Sequence, residues 1–101
     1  MIEEKIRKEL ENAKNTVDDI DSMLNSSDIN ADKIIELSKK RSQLIEIVIL
    51  YTELIQIEKS IEENNELLTD PEFKSLAEEE LLQLKSTLHL FQMTYLTLLS
   101  F

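Results

Sequence analysis

The amino-acid sequence predicts an all-α fold: an elongated antiparallel three-helix bundle with a long coiled-coil-like helical hairpin. Three observations carry that expectation. The 101 residues include no Gly and one Pro, where an average sequence of this length would hold about seven and about five. Leu and Ile dominate the apolar set, 17 and 12 against 2 Val, and they recur at steps of three and four, as on a helix, rather than two. With 42% hydrophobic and 32% charged residues, the chain has neither a disordered nor a membrane-like composition. Lack of Gly removes the phosphate cradle, the dinucleotide fingerprint, the EF-hand turn and the preferred tight hairpin turns. This argues against a β-sandwich or an α/β enzyme. The length suits one domain over residues 1–101, with a core small enough to need close helix packing or a partner.

Helix 1 is expected over about 2–25, because Ile2, Ile6, Leu10, Ala13, Val17, Ile20 and Leu24 fall on one stripe. It should stop at Asn25-Ser26-Ser27-Asp28, where short polar side chains compete for backbone hydrogen bonds and Asn tolerates a left-handed conformation. Asn30 reads as the next N-cap, with Ile29 and Ile34 as a hydrophobic staple and Asp32 in the first turn. Helix 2, over about 31–68, meets no Pro or Gly; at ~1.5 Å per residue it would reach nearly 60 Å. Thr69-Asp70-Pro71-Glu72 ends it, and Pro71 suits the first position of helix 3, over about 71–99. The apolar stripe of that helix is Phe73, Leu76, Ala77, Leu81, Leu84, Leu88, Phe91, Tyr95 and Leu98.

Short connections make neighbouring helices antiparallel, so helices 1 and 3 should both cover helix 2 over roughly residues 41–54. There the sequence runs Leu44-Ile45-Glu46-Ile47-Val48-Ile49-Leu50-Tyr51, apolar on most faces. Helix 3 is likewise sparse in apolar residues from Glu72 to Lys85 and dense from Leu88 to Leu99. A buried strand is the competing reading of Ile45–Tyr51, but the run lies inside a longer 3.5-period pattern without Gly or Pro boundaries.

Eleven basic against 21 acidic residues give a net charge of −10, which opposes binding to free nucleic acid or anionic lipid. The excess lies mainly after residue 50, where three basic residues face ten acidic ones. If the chain meets a ribonucleoprotein, that half should prefer its basic protein component. With no Cys and His89 as the single histidine, a transition-metal site lacks ligands, and a half-exposed helix position accounts for His89. Ser38, Ser42, Ser60 and Ser86 lie on helices with no strained turn or neighbouring imidazole. No catalytic, cofactor or metal residues are therefore assigned. The densest acids, Glu58, Glu62, Glu63 and Glu66 with Glu78-Glu79-Glu80, read as a solvated face or as an acidic docking surface near the hairpin turn. The candidate protein-contact residues are Glu58, Glu62, Glu63, Glu66, Asp70, Glu72, Glu78 and Glu79. Lys33, Lys39, Lys40 and Arg41 form a small basic patch, for which neutralisation of Asp32 and Glu36 along the helix is the simpler account. The start, Met1-Ile2-Glu3-Glu4-Lys5, lacks the pattern of a signal peptide, and no apolar run reaches ~18 residues.

Leu37-Ser38-Lys39 with Leu44, Ile47-Val48 and Tyr51, followed by Leu67-Leu68-Thr69-Asp70-Pro71-Glu72-Phe73 and Leu76-Ala77-Glu78-Glu79-Glu80-Leu81, resembles the N-terminal helical domain of bacterial class-1 peptide chain release factors, more narrowly the branch that reads UAA and UAG. The likeness is good over about residues 34–85 and elsewhere extends only to helical character. The tryptophan-bearing pattern of the UGA-reading branch is not present. The resemblance implies a cytoplasmic translation-termination factor. In that family a tripeptide in a later domain reads the stop codon, and a Gly-Gly-Gln loop in another hydrolyses peptidyl-tRNA. A sequence without Gly cannot contain that loop, so the implied role is positional: contact with the rest of the factor and with the GTPase-associated region at the ribosomal stalk base. After Lys85 the sequence departs from the family, being apolar through Thr87-Leu88-His89-Leu90-Phe91-Gln92-Met93 and ending Leu98-Leu99-Ser100-Phe101. That run, Leu88 to Phe101, is also a candidate for self-association. A stand-alone coiled-coil adaptor or chaperone-like module, acting through helix contacts, is the alternative from another class.

Overall fold

The computed structural model describes residues 2–99, with Leu99 described by its backbone alone. Three helices follow in order, α1 (Glu4–Leu24), α2 (Ala31–Leu67) and α3 (Lys74–Leu99), and no strand occurs among the described residues. The run Ile45–Tyr51 is helical throughout. By spatial grouping the chain forms two compact units, Glu3–Tyr51 and the residues from Thr52 onward together with Ile2. α2 supplies residues to both.

In the first unit α1 buries one stripe, Ile6, Leu10, Ala13, Val17 and Ile20, whose three- and four-residue steps keep it on one side of the helix. Ala13 and Val17 pack with Val48 of α2, and Leu44, Ile45 and Ile47 lie against them. The Arg41 Nε donates to Asp21 Oδ1 at 2.7 Å. Together these contacts give an antiparallel register, since the partner number on α2 falls as that on α1 rises. The bend between them is made without left-handed backbone: Asn25 has φ −84° and ψ −3°, and no described residue has positive φ. The left-handed turn expected at Asn25 is replaced by tightening. Asn25 N–H reaches Asp21 O and Ser26 N–H reaches Met23 O, both at 3.1 Å, and Ser26 Oγ then accepts Asp28 N–H. Asn30 caps α2, its Oδ1 accepting Lys33 N–H at 2.8 Å, which satisfies one of the orphan donors of a helix start. Ile29 lies around a shallow groove with Met23, Lys33 and Leu37, while Ile34 is 41% exposed.

The second unit pairs the later part of α2 with α3, and its buried side chains include Leu54, Ala77, Leu81, Leu88, Phe91 and Tyr95. Two sequence expectations change here. α3 starts at Lys74 instead of Pro71, because Pro71–Phe73 form a turn in which Asp70 O accepts the N–H of both Phe73 and Lys74. Phe73 and Leu76, assigned to the buried stripe, are 41% and 65% exposed; the line of contact runs through Ala77 and Leu81, Leu76 turns away from it by one residue, and Phe73 lies in the turn before the helix.

Burial along α2 explains why that helix has no single apolar face. From Leu37 through Leu44 and Val48 to Tyr51, the covered positions step by seven, four and three. Continuing that register would cover Ile55 and Glu62, yet both are exposed and Leu54 is fully buried. The covered positions then run Leu54, Ile57, Ile61, Asn64 and Leu68, one residue out of step with the first series. Ile49, expected inside, is 52% exposed. With ~3.6 residues per turn, consecutive apolar residues point all round a helix and one of them must face outward.

Two stability measurements check these assignments. Asn30→Ala removes a cap and is expected to cost about 1 kcal/mol in urea unfolding. Leu54→Ala, at a fully buried position, should cost about 2–5 kcal/mol, whereas Ile49→Ala should stay within about 0.5 kcal/mol.

Candidate functional site

The turn between α2 and α3 is built by side chains that satisfy the backbone locally. α2 ends by tightening into i→i−3 bonds: Leu68 N–H to Asn65 O at 3.3 Å, Thr69 N–H to Glu66 O at 3.4 Å and Asp70 N–H to Leu67 O at 3.1 Å. Thr69 Oγ1 also donates to Glu66 O, and Asn64 Nδ2 donates to Ser60 O. Asp70 Oδ1 accepts Glu72 N–H at 2.9 Å. The carboxylate of Asp70 therefore organises the turn.

The other candidate acids are distributed around this turn. Glu62, Glu63, Glu66, Glu72, Glu78 and Glu79 are exposed, as is Glu80, while Glu58 and Asp70 are half-buried. Between the two helix ends lies a groove of about 400 Å³ lined by Asn64, Leu67, Phe73, Leu76, Ala77, Glu79, Glu80 and Gln83. Its apolar wall is accessible, with Leu67 39%, Phe73 41% and Leu76 65% exposed. Sequence reasoning missed this groove. The spacing of Phe73 and Leu76 is that of core residues, and the local signal available was their position next to a turn. An apolar floor edged by carboxylates can take an apolar side chain from a segment that also carries Lys or Arg.

The remaining candidates are dispersed. In the basic patch, Lys33 Nζ lies 3.4 Å from Glu36 Oε2, while Arg41 reaches across to Asp21, a partner 20 residues away that no local pattern marks. The hydrogen bond to Asp21, with its charge attraction, raises the Arg41 pKa further. Lys39 and Lys40 are exposed, as is His89. Ser42 Oγ donates to Ser38 O, a backbone group. Among the described residues no group of three or more His, Cys, Asp or Glu is placed to hold a metal ion, and no helix is long and apolar enough to cross a membrane.

This helical chain belongs to the PCRF domain family, whose model matches residues 6–100. Among proteins of known identity it is similar to peptide chain release factor 1. The Helicobacter pylori (strain ATCC 700392 / 26695) protein is 41% identical over 66 residues, 63% of this chain and 19% of the relative. The Aliarcobacter butzleri (strain RM4018) protein is 39% identical over 74 residues, 71% of this chain and 21% of the relative. For Campylobacter jejuni subsp. jejuni (serotype O:23/36, strain 81-176) the identity is 44% over 66 residues, covering 63% and 19%. The chain thus spans about a fifth of the length of these relatives. No solved structure matches it significantly.

The turn itself can be probed through its acceptor. Asp70→Ala, which deletes the bond to Glu72 N–H, is expected to lower stability by about 1 kcal/mol. Asp70→Asn, which keeps an acceptor oxygen, should retain most of it, as read from urea midpoints.

Proposed function

We propose that this chain serves translation termination as a non-catalytic N-terminal helical domain of a peptide chain release factor, one that directs stop-codon-dependent release at UAA and UAG. The family match over residues 6–100, with relatives that are release factor 1 proteins, carries this reading. The absence of Gly supports the non-catalytic part, because the Gly-Gly-Gln loop that the resemblance assigns to hydrolysis has no counterpart in these 101 residues. The role is then to hold protein contacts: with the other domains of such a factor, and with the stalk-base GTPase-associated region of the ribosome, in the cytoplasm.

Charge supports a protein surface over RNA for the α2–α3 turn. Glu62, Glu63, Glu66, Glu72, Glu78 and Glu79 repel phosphate, and the same carboxylates around Leu67, Phe73 and Leu76 favour a basic partner segment. Rim charges of this kind act mainly on association rate and its salt dependence.

The purified chain is expected to release no peptide from ribosomes programmed with UAA or UAG, and release activity would refute the reading. In ribosome cosedimentation, Glu62→Lys combined with Glu66→Lys and Glu79→Lys should weaken binding about tenfold or more at low salt. Unchanged binding of that triple variant would remove the turn from the contact surface.

A further inference from the structure

Two apolar surfaces of the second unit reach solvent. On the outer side of α3, Leu82, Leu90, Met93 and Leu96 are exposed, with Lys85 and His89 among them and Ser100 and Phe101 outside the described residues. Basic and apolar groups are mixed there, and the mixture selects no occupant. The groove at the α2–α3 turn does select one, because its edges carry charge of a single sign.

Leu67 enters the groove from α2, Phe73 from the turn and Leu76 from α3, while Glu79 and Glu80 form the α3 edge. Glu63 lies four residues before Leu67 on the same side of α2, and so brings a third carboxylate to the opposite edge. All three glutamates are exposed, and none has an ion-pair partner among the described residues. No Lys or Arg lines the groove. Glu62 and Glu66 each precede one of this α2 pair, Glu63 and Leu67, by a residue, which turns them about 100° further from the groove. Two side-chain amides share the lining. Asn64 Nδ2 donates to Ser60 O at 2.9 Å, and its Oδ1 has no partner among the described residues. Gln83 is exposed; its backbone oxygen accepts Thr87 Oγ1, while its side chain makes no hydrogen bond among the described residues.

We propose that this groove binds an extended peptide segment in which one large apolar side chain, seated on Leu67, Phe73 and Leu76, is flanked on both sides by Lys or Arg. The proposal rests on the reading of the α2–α3 turn as a protein contact surface, and specifies the ligand of that surface. Charge chooses the flanks: carboxylates on both edges favour cations beside the anchor and repel a phosphate backbone. Size chooses the anchor, since about 400 Å³ is near the lower end of the range for small-ligand sites. The amides choose the backbone form. A helix uses its N–H and C=O groups internally, whereas an extended segment presents them to Asn64 and Gln83. With one anchor and solvated rim charges the contact is weak, its dissociation constant on the order of 0.1 mM at low salt.

Fluorescence anisotropy of a short labelled peptide, one Trp between two Lys–Arg pairs, titrated with the 101-residue chain, tests this. Saturable binding is expected, weakened at least fivefold between about 0.05 and 0.5 M salt. Replacing the Trp by Ala should weaken it about tenfold, as should Leu76→Asp at a position that is 65% exposed and therefore leaves helical circular dichroism unchanged. Glu79→Gln combined with Glu80→Gln should do the same, while Glu62→Gln combined with Glu66→Gln should stay within about twofold. A form of the peptide stapled into a helix should bind several-fold more weakly. Binding that ignores the Trp, ignores Leu76→Asp, responds equally to both glutamine pairs or prefers the stapled helix would overturn the proposal. Ribosome cosedimentation reads the contact surface separately. No peptide binding, with ribosome binding still lost in the triple lysine variant, overturns the groove and keeps the turn as a contact surface. Peptide binding with ribosome binding unchanged in that variant supports the groove and removes the ribosomal role.

Discussion

α2 runs 37 residues from Ala31 to Leu67 and enters both compact units, and its unbroken backbone ladder is the constraint on which the other elements depend. In a folded chain most of a helix's stability comes from what packs along it. The packing is not one continuous stripe. Covered positions follow one register to Tyr51 and another, displaced by a residue, from Leu54. A Gly or Pro near that step would let the ladder break, and the sequence places neither there.

The interior contributes stability without direction. Among the described residues the buried side chains are aliphatic or aromatic and none is charged, so burial by itself is largely non-directional. Alignment comes from the polar points at the periphery. The Arg41–Asp21 bond ties α1 to α2 at one level, Asn30 sets where α2 begins, and Asp70 sets the turn into α3. Surface carboxylates are left to act on partners, and for the α2–α3 turn that is the proposed role.

Much of this was legible because it is local. Cap and turn residues act within four positions of themselves, so the Asn30 cap and the end of α2 before Thr69–Glu72 could be read directly, although α3 starts at Lys74 rather than at Pro71. The exposed glutamates could be read as well, since a charged side chain on a helix reaches water unless something specific covers it. What could not be read were positions whose type is ambiguous until a neighbour is placed. Leu76 and Leu81 are both leucines on one helix, yet the first is 65% and the second 9% exposed. The groove at the turn and the outer apolar face of α3 both belong to this kind.

Composition and periodicity by themselves determined the all-α class, the number of helices and the segregation of acidic charge, because these follow from backbone sterics and from residues close in sequence. Tertiary structure alone decided which apolar residues are inside, where α2 changes register, that Arg41 meets Asp21, and that Leu82, Leu90 and Met93 face water. Those outcomes depend on contacts between residues far apart in the chain, and burial is a property of the surface a neighbour covers rather than of the residue that is covered.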